Sequence, residues 1–174
     1  MTYFDKAELP EVRKKRNLYL IIYLLCALAY VVLTVGCFLW YASLPYGSKT
    51  TGTIKLIHYA VSFLFVVFSF IYMYIVFKGA NRYYKLVKNL SQGIKETSTA
   101  QFIGYSHQIQ DKDGVEMRAL LFKEWNKYKN EFYERKVLVF ADRDFPEIEE
   151  DAFVSFVTQG NVLISYQIQE RIKE

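Results

Sequence analysis

The sequence has few of the residues on which catalytic and metal sites depend. Its 174 residues include only two histidines and two cysteines. Cys26 and Cys37 lie in one apolar run, so they predict neither a disulfide framework nor a zinc site, and this usage suits a reducing compartment. The sequence contains no glycine-rich phosphate loop, HExxH motif or serine elbow. These absences favour a non-enzymatic protein without a metal or cofactor.

Charge is also missing from two long stretches of the first half. Residues 18–42 contain no charged residue, and residues 56–77 contain only His58. A helix needs about 20 apolar residues to span a bilayer. We therefore predict two transmembrane helices, 18–42 and 56–77. His58 fits an interfacial imidazole, and a proton relay is the alternative because ionisable groups inside membranes are often functional.

Lysine and arginine are scarce between these runs and common outside them. The loop 43–55 holds two, whereas residues 1–17 and 78–97 form basic flanks. Because basic flanks stay on the cytoplasmic side, both termini are expected there. The cations expected to set this topology and to meet lipid headgroups are Arg13, Lys14, Lys15, Arg16, Lys78, Arg82, Lys85 and Lys88.

Aromatic residues cluster where the first predicted span should leave the hydrocarbon. Trp40, Tyr41 and Tyr46 lie near its outer end, and Tyr19 and Tyr23 lie near its inner end. Amphipathic rings prefer the depth of the headgroups, so we predict that they are interfacial anchors. A bulky ring also stands where signal-peptide cleavage needs a small residue, which favours an uncleaved anchor.

The segment 78–97 combines cations with an apolar side. Tyr83, Leu86, Val87 and Leu90 share that side. This pattern predicts a basic amphipathic helix on the inner leaflet or, equally, a plain helical linker.

From residue 98 onward, apolar and polar residues alternate. Asp111-Lys112-Asp113-Gly114 and Gly160-Asn161 are hairpin turn signals, and residues 135–141 are apolar on both faces, as in a central strand. Five strands are expected in residues 98–174. They predict a small antiparallel barrel of the OB or SH3 type, by fold-level analogy.

One segment of this domain, residues 122–134, is ambiguous between strand and helix. We predict a strand to about Lys123, followed by a helical turn or loop. Its aromatic residues favour core packing, and Trp125 and Tyr128 are weak candidates for an interaction surface. Nucleic-acid binding is disfavoured because residues 97–174 carry 10 Lys/Arg against 14 Asp/Glu.

An acidic run, residues 141–151, is the second candidate interaction surface, through Asp142 and Asp144. Pro146 and Ile148 stand where a calcium loop of the EF-hand type needs ligands or glycine. We therefore predict a solvated loop and no metal site. His107, the only histidine of this half, is expected at the surface.

Together these patterns predict an α+β membrane protein in which a two-helix transmembrane hairpin carries a small cytoplasmic β-barrel. The function most consistent with them is a docking, regulatory or accessory subunit in a plasma or inner membrane. Its expected partners are the lipid bilayer and another protein or a second copy, and a small-molecule ligand cannot be predicted. The alternatives are a homo-oligomeric channel or transport component, and a membrane-tethered enzyme or ligand sensor.

Overall fold

The computed structural model describes residues 1–5, 7–45, 47–126 and 128–169. The chain forms two compact units. One is helical and comprises Arg13–Asn81, and the other comprises Met1–Val12 with Arg82–Glu174 and contains a β-barrel. The barrel unit therefore includes segments from both sides of the helical unit in sequence.

Long helices account for most of the first half of the chain. Helix α1 runs Glu8–Ser43, and α2 (Thr50–Ile71) continues through a π-helical segment, Tyr72–Phe77, into α3 (Lys78–Gln92). Two helices are thus long and apolar enough to cross a membrane. Because the helices extend beyond the predicted spans, the connection between them is shorter than expected, and its Tyr46 lies outside the described residues.

The half-buried sides of the two helices form a seam at about heptad spacing. It contains Tyr19, Tyr23, Cys26, Tyr30, Thr34 and Cys37 from α1, and His58, Ser62, Phe65, Ser69 and Tyr72 from the second helix. Such spacing keeps one face of each helix against its neighbour. We call this set the helix seam.

Hydroxyl groups of tyrosine and serine bond across the helix seam. The Tyr72 hydroxyl donates to the backbone oxygen of Tyr19 at 2.9 Å. The Tyr30 and Ser62 hydroxyls lie 3.0 Å apart, and the Tyr23 hydroxyl donates to Ser69 at 3.4 Å. The Tyr23 hydroxyl and the backbone of Tyr19 therefore contribute to helix packing.

Five strands follow the helices and close into a barrel. They are β1 (Glu96–Lys112), β2 (Val115–Asn126), β3 (Glu131–Phe140), β4 (Phe153–Gln159) and β5 (Val162–Gln169). Their order around the barrel is β1-β2-β3-β5-β4. Neighbours are antiparallel except β3 and β5, which meet in parallel. The predicted five-stranded barrel is confirmed, but its description as wholly antiparallel is wrong.

Both predicted two-residue turns join strands of this barrel. Asp113 and Gly114 have φ of 57° and 78°, and Gly160 and Asn161 have φ of 53° and 66°. Two consecutive positive φ angles define the turn that matches the twist of paired strands. The turns therefore fix the β1–β2 and β4–β5 hairpins locally.

Aromatic rings fill the interior of the barrel. Phe102, Phe122 and Phe156 are fully buried, and the Phe122 ring centroid lies 5.5 Å from that of Phe102 and 4.4 Å from that of Phe156. Residues 137–140 of β3 are buried on both faces, as a central strand requires. This interior is one of two cores in the unit.

The second core lies on the outer side of the barrel, where α3 and the N-terminal segment pack. Leu86, Val87 and Leu90 of α3 and Phe4 of the N-terminal segment are buried there against Met117, Ala119, Leu138, Phe140 and Val162. Burying each such side chain contributes about 1.5–3 kcal/mol. The apolar side of α3 is therefore covered by protein, which contradicts the first of the two alternatives for this segment, an apolar side on the inner leaflet.

Candidate functional site

The β2–β3 hairpin carries large aromatic rings at its loop end. Trp125 is 45% exposed, Phe132 is 60% exposed and Tyr128 is 99% exposed. Trp125 and Phe132 are directly opposite each other in the ladder, with ring centroids 4.8 Å apart in an edge-to-face arrangement. The prediction that these rings pack in the core is therefore wrong.

A hydrogen-bonded turn holds Tyr128 at the tip of this hairpin. The side-chain oxygen of Asn126 accepts hydrogen bonds from the backbone N–H groups of Tyr128 at 2.9 Å and Lys129 at 3.2 Å. Asn130 has a φ of 51°, a conformation that asparagine adopts more readily than most residues. The helical turn considered for residues 122–134 is therefore replaced by two strands and a tight turn.

These rings are exposed because α3 covers only part of the outward face of the hairpin. Met117 and Ala119 on that face are buried in the second core, whereas Lys123 and Trp125 follow on the same face beyond α3. The Lys123 ammonium nitrogen lies 4.9 Å from the centroid of the Phe132 ring. We call the four exposed residues Lys123, Trp125, Tyr128 and Phe132 the hairpin patch.

Asp142 and Asp144, the other candidate surface residues, lie in the loop that follows the far end of β3. Both are exposed. Phe140 lies eight positions after Phe132 in β3, or about 27 Å away at the rise of a strand. The structure therefore does not join the four predicted surface residues into one site. In the part of the chain that is described, no group of three or more His, Cys, Asp or Glu side chains is placed to hold a metal ion.

Arg143, between these two aspartates, points to the N-terminal segment. Its guanidinium donates to the Glu8 carboxylate at 2.6 Å and to the Tyr3 backbone oxygen at 3.0 Å. Burial raises the pKa of the Tyr3 hydroxyl from 10.0 to about 12, although the charge of Arg143 opposes that rise. The acidic run therefore includes a structural cation that holds Tyr3 and Glu8 against the barrel.

The same N-terminal residues extend the sheet at β5. The backbone N–H groups of Tyr3 and Phe4 both donate to the Ile164 carbonyl, at 2.9 and 3.0 Å, and the Tyr166 N–H donates to the Met1 carbonyl at 3.0 Å. These bonds satisfy backbone groups of β5 that its single pairing with β3 leaves unused.

A cluster around Arg135 closes one end of the barrel. The Arg135 guanidinium donates to Glu124 at 3.0 Å and to the Ser98 hydroxyl at 2.8 Å, and its side chain is 12% exposed. Tyr133 also donates to Glu124 at 2.9 Å, and burial followed by this hydrogen bond raises the pKa of Tyr133. The sequence did not predict this cluster, because its members lie on separate strands.

The two histidines of the chain differ in their surroundings. His107 is exposed, as predicted, and its ring meets the edge of Phe145 at a centroid distance of 5.5 Å. His58 lines a cavity of about 210 Å³ with Thr34 and Cys37 of the helix seam. His107 therefore contacts one neighbouring ring at the surface, whereas His58 faces a cavity between the two helices.

The predicted topology residues are mostly exposed. Arg13, Lys14, Lys15, Arg82, Lys85 and Lys88 are exposed, as are Trp40 and Tyr41. Arg16 is half-buried and donates to the Asn17 side chain at 2.8 Å. Lys78 is also half-buried, with its ammonium nitrogen 4.1 Å from the centroid of the Tyr74 ring. Exposure of this set is compatible with headgroup contacts.

Comparison of this chain with protein-family models, curated proteins and solved structures finds no match.

Proposed function

We propose that the chain is a two-pass integral membrane protein whose barrel serves as a docking or regulatory module of a membrane assembly. One observation carries the proposal: the barrel unit incorporates the segment that precedes the first apolar helix and the segment that follows the second. Phe4 and Val87 share one core with Phe140 of β3. A partner that binds the barrel and repacks this core would act on both segments.

The polar contacts of the N-terminal segment support the same role. Arg143 bonds both Tyr3 and Glu8, and the backbone of residues 1–4 pairs with β5. Together with the second core, these contacts attach the barrel to both flanking segments of the chain. A structural change at the barrel surface can therefore reach both segments through packed side chains. Regulation through a two-state element requires such a connection.

Membrane insertion is supported by the surfaces of the helices. Large apolar side chains such as Leu25, Phe63 and Phe70 are more than half exposed. Exposed apolar surface on this scale marks contact with lipid or with other helices. The alternative of a homo-oligomeric channel has less support, because the tyrosine and serine hydroxyls that hydrogen-bond between the helices lie in the helix seam, whereas a pore needs a polar lining.

The barrel belongs to the OB type in our proposal, by analogy of architecture alone. The support is its strand order, in which β1 pairs with both β2 and β4, and β5 meets β3 in parallel. An SH3-type assignment would require sequential neighbours around the barrel. The analogy carries no function.

The orientation we propose places both termini on the cytoplasmic side, in a plasma or inner membrane. Five Lys/Arg precede the first apolar run and five follow the second, whereas the connecting loop has two. A reporter enzyme that works only in the cytoplasm should therefore be active when it is fused after Glu174. Accessibility of that reporter from outside intact cells would contradict the orientation.

The stoichiometry of the assembly tests the proposed role. We expect native mass spectrometry of the full chain in lipid nanodiscs to give a monomer, and mild extraction from native membranes to give a defined complex with a different protein. A stable homo-oligomer of four or more copies would instead support the channel alternative and contradict an accessory subunit.

A further inference from the structure

We propose that the hairpin patch is a membrane-interface anchor through which the loop end of β2 and β3 docks on the phospholipid headgroups of a bilayer. The patch lies on the outward face of the barrel beyond the part that α3 covers. Its residues are Lys123, Trp125, Tyr128 and Phe132. This inference rests on the proposed membrane insertion of the chain.

The aromatic composition of the patch matches a headgroup layer. Trp125 and Phe132 form an exposed edge-to-face pair, and Tyr128 at the tip is 99% exposed. Tryptophan and tyrosine combine an apolar ring with one polar group, and they are enriched where hydrocarbon meets water. Three large rings on one short hairpin would be costly to leave in water, whereas an interface accepts both their apolar faces and their polar atoms.

The net positive charge at this end of the barrel favours binding to an anionic lipid surface. Residues 123–136 carry five Lys/Arg against three Asp/Glu, whereas the rest of 97–174 carries five against eleven. Within this segment Arg135 is already paired with Glu124. Lys123 lies along the Phe132 ring, so its stem can rest on apolar surface while its ammonium group reaches phosphate.

A bilayer fits these features better than other macromolecules. Two helices of the chain are long and apolar enough to cross a membrane, so a tethered barrel meets lipid at high effective concentration. Single-stranded nucleic acid would need a positive groove that follows several phosphates, and the remainder of the domain is acidic. The patch is small and its Tyr128 is 99% exposed at the tip of a hairpin, which suits insertion into a soft interface.

The chain supplies its own spectroscopic test because it has only two tryptophans, Trp40 and Trp125. Trp40→Phe leaves Trp125 as the only reporter, and Trp125→Phe leaves Trp40 in α1 as a matched control. Each full-length variant is placed in nanodiscs of phosphatidylcholine with phosphatidylglycerol, with acyl chains brominated near the glycerol end or unbrominated. Bromine quenches tryptophan only at close range.

We expect brominated lipid to reduce the emission of Trp125 and of Trp40. In the Trp40→Phe background, Lys123→Gln and Lys129→Gln should each lower the ratio of docked to undocked Trp125 about fivefold on anionic lipid, since a cation near such a surface contributes about that factor. The same substitutions should have little effect on this ratio in nanodiscs of phosphatidylcholine alone. This charge dependence separates lipid docking from burial of Trp125 against protein.

Four results would overturn the proposal. Quenching of Trp40 without quenching of Trp125 would leave insertion intact and refute docking, whereas quenching of neither would refute both. A blue shift of Trp125 that depends on protein concentration in detergent would assign the patch to a second copy. A change in Trp125 emission on adding oligo(dT) in detergent would assign it to nucleic acid.

Discussion

Replacing Val87 with aspartate is expected to detach α3 from the barrel and destabilise the barrel unit by about 3–5 kcal/mol, since an unpaired acidic group would enter an apolar core. Val87 is 0% exposed, and its neighbours in the second core are apolar. A domain of this size is stable by about 5–15 kcal/mol, so the loss would be a large fraction of the total. Thermal unfolding of the full chain in detergent measures it.

Lys88→Asp is the matched control for this substitution. Lys88 is the next residue of α3 and is exposed, so the same side chain is introduced one position away without burial. We expect it to change the unfolding free energy by less than about 0.5 kcal/mol. Hydrogen exchange should be faster in the β2 and β3 amides of Val87→Asp only. Equal effects of the two substitutions would contradict the packing of α3 on the barrel.

The elements that local sequence determines were predicted well. Long uncharged runs predict the two helices because no other structure tolerates them, and the Asp113-Gly114 and Gly160-Asn161 turns depend on backbone preferences of their own residues. Periodicity also identified β3 as a strand buried on both faces. These features need no knowledge of distant parts of the chain.

Other features depend on which elements meet, and local pattern does not specify that. The apolar side of α3 predicts burial, but lipid and protein cover such a face equally well, and only the structure shows Met117 and Phe140 beneath it. Tyr23 could place its hydroxyl in headgroups or against a second helix, and the helix seam selects the latter. Glu8 and Arg143 pair across 135 positions of sequence.

The candidate surface residues show the same limit. Trp125 and Phe132 fit a helix at spacing i, i+7 and also fit opposite strands of a hairpin, so their pattern alone did not separate core from surface. Asn126 and Asn130 are the local signals that could have identified the turn, since both favour such conformations. The rings are exposed because α3 covers only part of the hairpin, and the residue pattern of one strand does not show how much of it a helix covers.

Removing the charge of Arg135 is the second substitution with a large expected effect. Arg135→Met keeps an unbranched stem of similar length but leaves the Glu124 carboxylate without its guanidinium partner at 3.0 Å. The side chains of Arg135 and Glu124 are 12% and 20% exposed. Breaking a fully buried pair costs about 3–5 kcal/mol, and partial solvation of this pair reduces the expected loss to about 2–3 kcal/mol.

Three companion variants show whether this loss comes from the ion pair. Lys136→Met changes an exposed cation on the neighbouring residue and should be nearly neutral. Arg135→Lys should be intermediate, because an ammonium group has no second nitrogen to reach Thr158, which the other guanidinium nitrogen bonds at 3.3 Å.

The double variant Glu124→Gln/Arg135→Met should recover part of the stability that Arg135→Met loses, since it removes the unpaired carboxylate. If the double variant is no more stable than Arg135→Met, the unpaired Glu124 carboxylate does not cause the loss. If Arg135→Met unfolds at the same temperature as Lys136→Met, the cluster contributes no stability. Recovery in the double variant would instead establish that the charge left behind, and not the lost packing, dominates the cost at this end of the barrel.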